Sequence, residues 1–159
     1  MGYDIVSMVQ DFCEVFAGRA TVAGGLPFPE RIERERLDLS LESLRAVDRY
    51  LDFLHEHAAE IEEQEYTNVI LAAGCYLGEV FRAVSPTSYR WMNRDDYVRI
   101  QPRIAEMLPD GHPGTAAMLV ADDGKMWLPL NKIARYVEEG PENNTHFFVA
   151  AELSKEGGQ

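Results

Sequence analysis

Twenty residues, EYTNVILAAGCYLGEVFRAV at 65–84, run without proline and with few polar side chains. Such a stretch reads as a helix enclosed on nearly all sides, since a surface helix would show a clear polar face. At about 100° per residue, Tyr66, Val69, Ile70, Ala73, Gly74, Leu77, Val80, Phe81 and Val84 share one broad face. The opposite face carries Asn68, Ala72, Cys75, Glu79, Arg82 and Ala83, of which only Asn68, Glu79 and Arg82 are strongly polar. Gly74 and Gly78 each weaken a helix by roughly 1 kcal/mol relative to Ala. Close approach of another backbone is the expected compensation, because glycine has no Cβ to hold a neighbour away. A G-x-x-x-G pair also occurs in membrane helices. Here Asn68, Glu79 and Arg82 interrupt the run, so the segment reads as a soluble core helix.

A chain of 159 residues with 46% hydrophobic content is long enough to bury a substantial core in one domain over residues 1–153, leaving 154–159 as a flexible tail. Twenty-seven acidic against fifteen basic side chains give a net charge of −12. An acidic surface repels phosphates, which argues against nucleic-acid binding, and it attracts and steers basic proteins. Cys13 and Cys75 fit no close-spaced metal or redox pattern and read as two buried thiols in a reducing cytoplasm. The N-terminus lacks a basic region ahead of an apolar run, so no signal peptide is expected.

Residues 3–17 form an amphipathic helix candidate, with Ile5, Met8, Val9, Phe12, Val15 and Phe16 at helical spacing, Asp4 near the start and Gly18 as the stop. Its apolar stripe can pack on the core or on a second copy. Gly24, Gly25, Pro27 and Pro29 mark a loop. ERIERER at 30–36 nets to zero and reads as a solvated turn of helix. Ser40 caps a helix over 41–58, with Leu44, Val47, Leu51, Leu54 and Ala58 inward and Arg45, Asp48, Arg49, Asp52 and Glu56 outward. Its flanking stripe of Ala46, Tyr50, Phe53 and His57 points to contact with another element. Glu60, Glu62, Glu63 and Glu65 form a short acidic patch that suits the start of the central helix.

Beyond Pro86 the period changes. Residues 89–92, 97–101, 115–121, 125–128 and 145–151 read as strands. A short helix is expected over 103–108, and a longer one over 130–139 with Ile133, Tyr136 and Val137 inward. Asp123-Gly124 is a hairpin signal. Helices in the first half and hairpin-linked strands in the second predict an α+β fold, N-terminal helices packed on a small, largely antiparallel C-terminal sheet.

LDLSLESLRAVDRYL at 37–51, YLGEVFR at 76–82 and LPLNKIARYVEEGPENN at 128–144 together resemble a set of small uncharacterised bacterial proteins. These share an L-G-E-V-x-R central helix, an aromatic strand soon after it and a late P-x-x-K/R helix ending in glycine. The resemblance covers about two-thirds of the chain on a single-domain length and omits the first 36 residues. It implies the order of elements and supplies no catalytic residues.

The sharpest polar constellation is Asn68, Cys75, Glu79 and Arg82. An amide, a thiol, a carboxylate and a guanidinium along one helix face could line a ligand pocket, and a half-buried carboxylate could serve as an acid or base. The plainer reading is that Glu79 and Arg82, three residues apart, satisfy each other. His55, His57, His112 and His146 make no zinc pattern: His55-Glu56-His57 sets its imidazoles about 200° apart on a helix. No G-x-S-x-G, P-loop or complete calcium loop occurs. No catalytic residue, metal site or cofactor is therefore assigned. The expected function is a non-catalytic protein-binding module, with an immunity- or antitoxin-like cover for a basic partner as its concrete form. A small-ligand binder or enzyme around Glu79 and Arg82 is the first alternative. A homodimer or larger homo-oligomer built on the first helix is the second.

Overall fold

The computed structural model of the protein describes residues 4–157. At its centre stands α3, Glu63–Val84. Its start is fixed by a reciprocal capping arrangement. The Glu62 N–H donates to Glu65 Oε1 at 3.0 Å, and the Glu62 carboxylate accepts from the Glu65 N–H. From Asn68 to Phe81 every residue except Glu79 is buried. The expected approach of another backbone occurs at Gly74, whereas at Gly78 the close neighbour is a side chain. A methyl group at Gly74 would stand 2.8 Å from the Leu130 Cα, and one at Gly78 would stand 2.3 Å from the Trp91 ring.

Around this rod pack α1, Val9–Phe16, on one side and α5, Pro129–Glu139, on another. A 3₁₀ turn at Val6–Met8 leads into α1, and the Asp4 carboxylate accepts from the Ser7 N–H within that entry. Tyr3, where the sequence helix was expected to begin, lies outside the described residues. Ile5, Val9, Phe12, Val15 and Phe16 are all buried, so the apolar stripe of α1 is used within the chain. Helix α2, Leu44–Glu56, lies against α5, its approach stapled by a turn in which Ser40 Oγ accepts from the Ser43 N–H at 3.1 Å. The flanking stripe of α2 meets the 24–29 loop. Tyr50 donates to the Pro27 carbonyl at 2.6 Å, and Phe28 packs edge-on against Phe53.

The sheet is antiparallel, in the order β1 (Tyr89–Asn93), β2 (Ala117–Ala121), β3 (Met126–Trp127). Tyr89 stands opposite Ala121, and Leu119 opposite Trp127. The Asp123-Gly124 hairpin turns with Gly124 at φ 91°, a conformation open to glycine at little cost. Ala117, Leu119 and Ala121 face the main core, while Met118 and Val120 face a smaller cluster with Tyr97 and Leu108. The fold is α+β, with helices packed on a small antiparallel sheet.

Two expected strands are helices. Residues 97–100 belong to α4, Arg94–Ile100, with Gln101 at its C-terminal end, and this helix covers the second face of the sheet. Asp95 and Asp96 sit in its first turn and Arg99 pairs with Asp96 at 2.7 Å, features that favour a helix over the strand suggested by Tyr97, Val98 and Ile100. Residues 145–151 belong to α6, Thr145–Gly157. Asn144 Oδ1 accepts from the Phe147 N–H at 2.9 Å. Asp48, expected on the outer face of α2, is instead buried and reaches across to cap α6. It accepts from the Thr145 N–H at 2.7 Å, the Thr145 hydroxyl at 2.6 Å and the His146 N–H at 3.1 Å. Asp48 thereby satisfies two backbone donors at the start of α6 and Asn144 a third, which overrides the strand preference of Thr, Phe and Val. Burial pushes the Asp48 carboxyl above its ordinary range, and these donors pull the other way. Helix α6 runs through Gly157, into the stretch expected as a tail. Two smaller differences concern α2, which ends at Glu56, and Ala58, which is exposed in the following 3₁₀ turn rather than facing inward.

Candidate functional site

The four polar residues of the central helix do not converge. Asn68 is buried and pins the 23–25 loop: its Nδ2 donates to the Ala23 carbonyl at 2.9 Å and the Gly25 carbonyl at 2.8 Å. Its Oδ1 accepts from Gln64 at 2.9 Å, so the amide is fully engaged. Cys75 is completely buried, and burial first, then the nearby Cys13 and Glu79, drive its thiol above the ordinary range. Cys13, on the facing side of α1, is pushed up to about 12, by burial first and then by Glu79 and Glu14. Both thiols are free, and burial favours their protonated form.

Glu79 and Arg82 do meet, as their spacing implies. Arg82 Nη1 donates to Glu79 Oε2 at 2.8 Å, and Arg82 Nε donates to the Tyr89 carbonyl at 3.0 Å. Glu79 Oε2 also accepts from Trp91 Nε1 at 2.9 Å, and Oε1 accepts from Gln10 Nε2 at 3.1 Å. One carboxylate thus ties α1, α3 and β1 together. The Glu79 side chain is only 13% exposed and that of Arg82 is 40% exposed. Two recesses flank this junction. One, of about 430 Å³, borders Glu79, Arg82 and the 85–89 turn. The other, of about 220 Å³, borders Glu79, Cys13, Glu14, Arg19 and Asp38.

Leu39 stands at both openings with φ 64°, a left-handed conformation unusual for leucine. It is held there by Tyr76, whose hydroxyl accepts from the Leu39 N–H at 3.0 Å and donates to Ser43 Oγ at 2.7 Å. Charges around the smaller recess are largely matched. Arg19 pairs with Glu14 at 2.6 Å, and hydrogen bonds from Ser40 hold the Asp38 carboxyl below its usual value.

A third recess, of about 410 Å³, lies where α2, α3 and α5 meet, and its walls include His55, Ile61, Glu63, Tyr66, Val137 and Glu138. His55 Nδ1 contacts the Val137 carbonyl at 2.8 Å, which makes this nitrogen the donor. The Tyr66 hydroxyl is screened from solvent and has no hydrogen bond of normal geometry. Burial, followed by the charge of nearby Glu138 and the approach of its carboxylate to the hydroxyl, pushes the phenol up to about 12. From the sequence, Tyr66 belongs to the core face of the central helix and Glu63 to the acidic patch that suits its dipole, while Glu138 carries no signal of its own. The signal that was present is the acidic patch at 60–65. Its partner Glu138, more than seventy residues away, could not be paired with it without the fold.

Among the described residues, no group of three His, Cys, Asp or Glu side chains is placed to hold a metal ion. Among them, too, no helix is long and apolar enough to cross a membrane. No family model, no curated protein and no solved structure matches this chain.

Proposed function

We propose that the protein is a non-catalytic, cytoplasmic protein-binding module whose partner is basic. The observation that carries this reading is how its charges are used. Among the described residues, eleven of the fifteen Lys and Arg side chains stand within ion-pair distance of a carboxylate of the same chain. The cations are largely spent internally, and the excess of −12 is left to exposed carboxylates such as Asp11, Glu30, Glu35, Glu60 and Glu106. A field of that sign speeds encounter with a positive surface and repels phosphates. An immunity- or antitoxin-like cover for a basic toxin is the concrete form. The test is titration calorimetry against basic proteins encoded beside this chain's gene, at low and at physiological salt. Nanomolar to micromolar binding that weakens with salt is expected. Failure to bind any of them at low salt would remove the reading.

A small-ligand reading has one observation in its favour, the recess beside Glu79 and Arg82. Against it, each Glu79 oxygen already accepts a hydrogen bond within the fold. A ligand there would have to displace those bonds or approach Arg82 alone.

A further inference from the structure

We propose that the recess between α2, α3 and α5 is where the basic partner docks, and that it takes the side chain of a lysine on that partner. This rests on the reading of the protein as a module for a basic protein, and it adds a location and a chemistry. Three features point to such an occupant. The first is charge: Glu63 and Glu138 are exposed at the recess, and among the described residues no Lys or Arg lines it and neither carboxylate stands in an ion pair. It differs in this from the recess at Glu14, where Arg19 already supplies the counter-charge.

The second feature is the apolar wall. Half-buried Ile61 and buried Val137 line the same recess as the two carboxylates, a surface suited to the methylenes of a lysine while its ammonium reaches a carboxylate. The third is the Tyr66 hydroxyl, which lines the same recess beside Glu138 and, among the described residues, has no hydrogen bond of normal geometry. Its phenol stays protonated at neutral pH, so it keeps its lone pairs for an incoming N–H without adding a charge of its own.

The test is a titration of the full ¹⁵N-labelled chain with a heptalysine peptide at low salt, followed by amide chemical shifts. Its Nε-acetylated counterpart serves as the neutral control. The largest shifts are expected at Glu63, Tyr66, Val137 and Glu138. The Glu63→Gln/Glu138→Gln variant should bind at least about tenfold more weakly, as expected for loss of close charge pairs. Glu35→Gln/Glu106→Gln, which removes the same charge from distant exposed positions, should change affinity less than about threefold. Tyr66→Phe should weaken binding by a smaller factor than the double glutamine variant. Peptide binding that maps elsewhere, or that falls equally in both double variants, overturns the docking site and leaves the basic-partner reading standing. Equal binding of the acetylated peptide overturns the lysine assignment. No binding of either peptide at low salt overturns the site and counts against the parent reading as well.

Discussion

Glu79 and Glu138 are both carboxylates beside a recess, and they live under opposite conditions. Glu79 accepts from Gln10, Arg82 and Trp91, and so joins two helices and a strand. Glu138 is exposed beside the Tyr66 phenol, and among the described residues it stands in no ion pair and no Lys or Arg lines its recess. A carboxylate whose acceptor capacity is used inside the fold stabilises architecture. One whose capacity is unused has something to offer a partner. The residue that looked most functional in the sequence is thus the more structural of the two.

The comparison is open to direct attack. Glu79→Ala should lower the unfolding free energy by about 3 kcal/mol, since it removes a mostly enclosed carboxylate that joins three elements and leaves the half-buried Trp91 N–H without its acceptor. Urea denaturation measures this, and a loss below about 1 kcal/mol would put Glu79 back among the candidates for binding chemistry. Gly74→Ala should cost about 2 kcal/mol even after the gain in helix propensity, because the new methyl meets the α5 backbone at Leu130, which cannot swing aside. Asp48→Ala should cost a similar amount, about 2 kcal/mol, and speed amide exchange selectively at the start of α6, where the Thr145 and His146 donors lose their acceptor.

At the other carboxylates the effects shrink. Glu63→Gln and Glu138→Gln should each change stability by no more than about 0.5 kcal/mol, as expected for exposed charges without partners. The smallest effect is in the Tyr66 titration. Its phenol should ionise near 12, and Glu138→Gln should bring that value down. Because the folded value is raised, the unfolded chain ionises first. This contribution to stability is complete below an ordinary phenol value of about 10 and is lost as pH climbs through 12. Ultraviolet difference spectra across that range follow it. An unshifted Tyr66 would mean that the hydroxyl is wet, and the contrast with Glu79 would weaken.

Elements whose signals lie in neighbouring residues were legible in the sequence. The apolar length of 65–84, the Asp123-Gly124 turn and the Pro129-to-Gly140 helix all follow from local periodicity and turn chemistry. Gly74 and Gly78 announced a close approach, and the i,i+3 spacing announced the Glu79–Arg82 pair. The misread segments are those whose fate depends on distant residues. Thr145, Phe147, Phe148 and Val149 favour a strand until Asp48, almost a hundred positions earlier, satisfies the donors of a helix start. Asn68 and Cys75 shared a helix face with Glu79 on paper, yet each is committed to a different neighbour.

Composition and periodicity by themselves determined the acidic character, the buried central rod and the α+β class, because these depend on which side chains are apolar and how often they recur. Tertiary structure alone decided which carboxylates are spent and which stay open. That depends on whether a donor from another element arrives within hydrogen-bonding distance, and no local pattern carries that information.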